Sequence, residues 1–197
     1  KAGPYISQYF YQPCNFGANK VEQQITTTMP GINYMTSFSD WLSIQRGIPP
    51  ASGNVFDPVP RYIRMGRDMG QWVHIDVLFQ GYFQAFLVLA GAGAPFDNGN
   101  PYTNNPTQIG FGTFGGPHIA TLLCEVATRA LKAVWYQKWF VHRRLRPEVF
   151  AGRIHNHFTG AKSYPIHSDI LNSAVLPLLS RKNGTVLLPM AFPEGSP

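Results

Sequence analysis

The stretch "PHIATLLCEVATRALKAVWYQKWFVHRRLRPE", residues 117 to 148, decides the fold. Ile119, Leu122, Leu123, Val126, Ala130, Val134 and Trp135 recur at steps of three and four, the period of one helix face. Pro117 suits a first helical turn, where its missing N–H costs nothing. A residue before proline is pushed out of the helical region, so the pattern predicts one helix from about Pro117 to about Leu145, stopping before Arg146–Pro147. The same stretch concentrates cations. Lys138, His142, Arg143, Arg144 and Arg146 fall between positions 138 and 146 of a chain in which only 13% of residues are charged.

Working outward, "RDMGQWVHIDVLFQGYFQAFLVLA" repeats the helical period through Trp72, Ile75, Leu78, Phe79, Tyr82, Phe83, Phe86 and Leu87, predicting a long, mostly buried helix from about Arg67 to Ala90. "TSFSDWLSIQRG" predicts a short helix capped by Ser37 or Ser39, with Trp41, Leu42 and Ile44 inward and Gly47 at its end. "IHSDILNSAVLPLL" predicts another, limited by Pro177 and preceded by a glycine-containing turn at 151–160. Asn183–Gly184, flanked by apolar Val186, Leu187 and Leu188, suggests a tight hairpin turn. Residues 1–35 show no sustained period and read as an irregular arm whose aromatics dock on a core elsewhere. The fold class is therefore mainly α, a helical bundle with long irregular loops and one small hairpin, and residues 1–197 are read as a single domain that is part of a larger one.

Composition sets outer limits. With 44% hydrophobic and 14% aromatic residues, general disorder is excluded, while 19 Gly and 17 Pro call for long connections. A formal charge of +6 favours anionic partners. Cys14 and Cys124 stand far apart without a CxxC pair, and both read as buried free thiols. The most apolar run, residues 85–96, is too short for a membrane span, which needs roughly 20 residues. Asn, Gln and one Asp in the loop "PFDNGNPYTNNPTQIGFGTFGG" offer oxygen ligands to a hard cation such as calcium, though without clustered carboxylates.

Cations gather at helix ends for a plain reason, since the macrodipole rewards each by about 0.3 to 1 kcal/mol. Arg143 and Arg144 fit that account. Lys138 and Arg146 allow a second one, because eight residues leave them about 80° apart around a helix and about 12 Å along it. Both could reach one small anion if the chain bends near the helix end. A nucleic-acid patch is a third reading of the same cations. His155, His157, His167 and Asp169 could compose a metal site but lack helical H-x3-H spacing. His74 and Asp76 read as a core histidine and an ion-pair partner.

Several segments carry a resemblance. "GPYISQ", "RYIRMGRDMGQWVHIDVLFQGYF", "GFGTFGGPHIATLLCEVATRALKAVWYQKWFVHRRLRPEVFAGRIH" and "LPMAFPEGSP" resemble the vanadium-dependent haloperoxidases, in particular the bromoperoxidases of red algae and cyanobacteria. Their superfamily, shared with acid phosphatases, opens its signature with a lysine and an Arg–Pro pair. The eight-residue step from Lys138 to Arg146 is that of the algal and cyanobacterial haloperoxidases, one longer than in the phosphatases. The resemblance implies that Lys138 and Arg146 are catalytic and cofactor-binding residues holding vanadate, and that hydrogen peroxide oxidises a halide, bromide first, to hypohalous acid, which halogenates an organic substrate. It further implies a homo-oligomer. Two departures accompany it. The histidines expected to ligate vanadium and move protons lie beyond Pro197 by the family pattern, so this chain is expected to be inactive alone. Gln137 precedes the lysine where red-algal relatives often have arginine, near the halide. An acid phosphatase of the same superfamily, or an anion- or nucleic-acid-binding module, stand as alternatives.

Overall fold

The computed structural model describes residues 7–196. Among them are seven α-helices, a 3-10 turn, a π turn and one two-stranded hairpin, arranged in two compact units. "GPYISQ" falls largely outside the described residues.

The first unit comprises residues 1–25, 60–65 and 75–143. Residues 14–21 carry regular structure where the sequence shows no sustained period. Strands β1 (Cys14–Phe16) and β2 (Asn19–Val21) pair antiparallel around Gly17, whose φ of 60° suits glycine. The segment docks, as its aromatics imply: the Tyr11 hydroxyl donates to the Ile63 carbonyl, and Phe16 meets Phe83 edge-on at 5.7 Å. Buried Gln23 donates from Nε2 to the carbonyls of Tyr9 and Gln12, at 3.2 and 3.0 Å. The hairpin predicted at Asn183–Gly184 is thus found here instead.

The long helix predicted over 67–90 is broken. Helix α2 (Gly66–Ile75) ends at Asp76, which is extended at φ −67°, ψ 154°, and α3 (Gln80–Gly91) restarts after a turn closed by Val77 N–H donating to Gln80 Oε1 at 3.1 Å. Nor is it mostly buried: in α3 only Gln84 is, while Tyr82 is 65% exposed. Helix α4 (Gly116–Tyr136) starts with Pro117 in its first turn, as predicted, yet none of its residues is buried. Its apolar stripe and Leu78 and Tyr82 line an open apolar groove. The stripe follows helical period correctly; what is missing among the described residues is an element packed over it.

The second unit comprises residues 26–59, 66–74 and 144–197. Helix α1 (Phe38–Gln45) follows its sequence signals: Ser37 Oγ accepts from Asp40 N–H at 3.2 Å, Trp41 is buried, and Gly47 closes the end at φ 75°. Residues 147–158, read partly as a turn, form helix α5 (Pro147–Phe158). Short α6 (Ser168–Leu171) and α7 (Val175–Asn183) follow. Pro177 does not limit α7 but sits in its first turn, where no N–H is required, and Gly184, left-handed at φ 71°, caps it. The chain then threads inward. Leu187 and Met190 join Met35 and Trp41 in one apolar cluster, while Val186 joins Ile154 and Leu176 in another.

Candidate functional site: the Lys138–Arg146 segment

Helix α4 does not run on to Leu145. Its last turn widens at residues 137–141 into a π turn, closed by His142 N–H donating to the Gln137 carbonyl at 2.8 Å. Arg143 follows in the left-handed region at φ 47°, unusual for a residue with a side chain and costing about 1 to 2 kcal/mol. Arg143 and Arg144 therefore do not continue a helix face, contrary to the helix-terminus account of them; Arg143 turns the chain. The chain leaves helical geometry at Gln137–Arg143, ahead of the proline expected to bend it. A π turn inserts an extra residue into the helical ladder and re-aims the side chains within it. Lys138 lies in that turn, exposed, with Nζ 6.0 Å from the Trp139 ring centre.

Arg146 lies in the second unit, at the cap of α5. Its backbone is extended at φ −68°, ψ 153°, as the following proline demands, and its carbonyl accepts the Phe150 N–H at 3.0 Å. Arg146 Nη1 donates to the Ser196 carbonyl at 2.9 Å. Two positions on, Glu148 is buried in the first turn of α5, where the helix dipole favours a carboxylate. Its backbone carbonyl accepts Trp41 Nε1–H at 2.9 Å, and its Oε2 accepts the Ser196 hydroxyl at 2.5 Å. The structure thus brings Arg146 to Ser196 and Glu148, and places Lys138 in the other unit, joined to Arg146 through residues 142–145 outside any helix.

Sequence reasoning missed Glu148 and Ser196. The available signal was an acid two residues after the helix-starting Arg–Pro pair, which does not reveal a partner 48 positions away.

The remaining candidates have other work. His74 Nε2 lies 3.3 Å from Glu194 Oε1 and its ring stacks on Phe192 at 4.3 Å, so the carboxylate beside it is Glu194 and not Asp76. Burial pushes the Asp76 carboxyl above its usual range. His157 Nδ1 accepts from Tyr164 N–H and His167 Nδ1 caps α6 by accepting from Asp169 N–H. His155 stacks on Phe38 at 5.4 Å, and burial lowers its pKa. Among the described residues no group of three His, Cys, Asp or Glu could hold a metal ion. In the 95–116 loop the side-chain oxygens of Asp97, Asn100 and Asn105 accept backbone N–H groups within turns. Both cysteines are free, Cys14 buried and Cys124 only partly so.

Lysine and arginine donors suit a tetrahedral oxyanion and not a bare cation: the ammonium presents three N–H groups, the guanidinium a planar fork. No family model matches the chain. Individual proteins do. It is 36% identical to a vanadium-dependent bromoperoxidase of Corallina pilulifera over 218 aligned residues, taking in 98% of this chain and 36% of that one. It is 33% identical to one from Ascophyllum nodosum, over 100% of this chain and 37% of that one. The chain is a homologue of the vanadium-dependent bromoperoxidases. A homohexameric vanadate-dependent bromoperoxidase structure from Ascophyllum nodosum superposes with a TM-score of 0.83 at 33% identity, covering 99% of this chain and 34% of that one. The mainly helical fold therefore matches that third of the bromoperoxidase structure. The chain spans little more than a third of the length of the relatives it matches. Among the described residues no single helix is long and apolar enough to cross a membrane.

Proposed function

We propose that this chain contributes Lys138 and Arg146 to the vanadate cradle of an enzyme that oxidises halide, bromide first, with hydrogen peroxide. The observation that carries the reading is the Lys138–Arg146–Pro147 spacing inside near end-to-end homology to vanadium-dependent bromoperoxidases. Vanadate, when bound, supplies a Lewis acid that activates peroxide toward halide. Lys138 donates N–H bonds to the oxygen on which negative charge grows, and its mobile point charge follows that oxygen. Arg146 neutralises the remaining oxyanion charge from a capped, extended position that cannot relax into the helix. Each charge-assisted bond is worth about 1.5 to 3 kcal/mol.

The same reading makes the chain one part of a longer polypeptide, supported by the open apolar face of α4 and by the extra length of the relatives. Such a face stays out of water only when another element covers it. The assembled enzyme would be a homo-oligomer, as its structural neighbour is. The test is to express the complete gene product and measure peroxide-dependent bromination beside phosphate-ester hydrolysis, each with added vanadate. Bromination supports the proposal; phosphatase activity inhibited by vanadate, without bromination, favours an acid phosphatase with the same cradle.

A further inference from the structure

We infer that Glu148 is a positioning residue for Arg146, acting through Ser196. Ser196 is gripped from two sides, its carbonyl accepting from Arg146 Nη1 at 2.9 Å and its hydroxyl donating to Glu148 Oε2 at 2.5 Å. The two grips belong to residues two apart at the start of one helix, so they close a small ring through α5. Gly195 makes the approach possible. It stands at φ 123°, where side chains are strained, and a Cβ there would lie 2.7 Å from Glu148 Oε1. Glu148 itself is held from behind, because Trp41 Nε1 donates to its carbonyl and Trp41 fills the notch over Gly152.

The chemistry follows from the shape of the guanidinium. It is a rigid plane, so fixing one Nη fixes the directions of every other N–H on it. An arginine so held meets an oxyanion in one orientation, and its affinity does not carry the full loss of rotamer freedom that a loose arginine would. Glu148 is too deeply buried to meet the anion and would repel it, so its effect reaches the cradle only through Ser196 and Arg146. The inference rests on the vanadate reading of Arg146.

The test uses the complete gene product and orthovanadate, with its Kd read by equilibrium dialysis and the melting temperature read alongside. Ser196→Ala and Glu148→Ala should each raise Kd about tenfold, the effect of one lost charge-assisted hydrogen bond. Glu148→Gln keeps an acceptor oxygen for the serine hydroxyl and should restore Kd to within about threefold of the parent. Ser196→Ala unpairs one oxygen of buried Glu148 and should lower the melting temperature by a few degrees, whereas Ser196→Thr, which keeps the hydroxyl, should leave both Kd and melting temperature near the parent's; the pair separates orientation from folding even if Glu148→Ala folds poorly. Unchanged Kd in Ser196→Ala, with Arg146→Ala binding weakly, overturns the positioning role and leaves the cradle standing. Unchanged Kd in Arg146→Ala removes the cradle itself, and the inference with it.

Discussion

Replacing Gly152 by alanine should destabilise the protein, although it improves the helix. Gly152 lies inside α5, where alanine is favoured over glycine by about 1 kcal/mol. Against that gain stands Trp41. A methyl group at position 152 would sit inside its indole ring, with Cη2 2.7 Å away and two further ring atoms closer still. Trp41 is buried and wedged, stacking on Phe38 at 5.4 Å, so it cannot step aside without opening the cluster it shares with Met35, Leu187 and Met190. Overpacking of this kind costs about 1 to 3 kcal/mol. Moving the indole also breaks its hydrogen bond to the Glu148 carbonyl, and a buried donor left without a partner costs about 1 to 3 kcal/mol more. Steric and polar losses outweigh propensity, for a net loss of about 3 kcal/mol. In a chain of this size that lowers the melting temperature by about 6 to 12 °C. Urea unfolding followed by tryptophan fluorescence measures it. A variant as stable as the parent, or more so, would refute the wedge of Trp41 over Gly152.

Other expectations follow from single contacts. Gly184→Ala places a side chain at φ 71° and should lose about 1 kcal/mol in urea unfolding; unchanged stability would contradict the left-handed cap of α7. Burial lowers the His155 pKa, and among the described residues its Nδ1 has no hydrogen-bond partner. The folded protein therefore prefers neutral imidazole, while the unfolded chain takes up a proton near pH 6.5. Stability should fall as pH drops from about 6.5 toward the lowered folded value, and be unaffected by this group above that window. His155→Phe, which keeps a ring against Phe38, should flatten the slope; an identical pH profile in the variant would show that His155 is not its source.

Much of the fold was legible where local chemistry and tertiary packing agree. Ser37, Trp41 and Gly47 announced α1, and Pro117 announced α4, because caps and turn residues act over a few positions. The break at Asp76–Phe79 was hidden, since Ile75, Leu78 and Phe79 keep helical period straight through it. The π turn was hidden for the same reason: Lys138, Trp139 and Phe140 continue a pattern that a widened turn satisfies as well. Gly152 misled in the opposite direction. It reads as a turn former, yet its role is to leave room for an indole from a residue 111 positions away. At the candidate site, spacing allowed Lys138 and Arg146 to share an anion but did not choose that reading over a helix terminus; the family resemblance did. Glu148 and Ser196 were not legible, because their pairing exists only once residues 190–196 return to the start of α5.

Lys138 is proposed as an oxyanion donor in a bromide-oxidising enzyme. Lys138→Ala in the complete gene product, loaded with vanadate and compared with the parent for peroxide-dependent bromination, tests that role most directly. Loss of one preorganised donor to developing charge should lower turnover about a hundredfold or more while the melting temperature holds, since Lys138 is exposed. Bromination at the parental rate in that variant would contradict the claim.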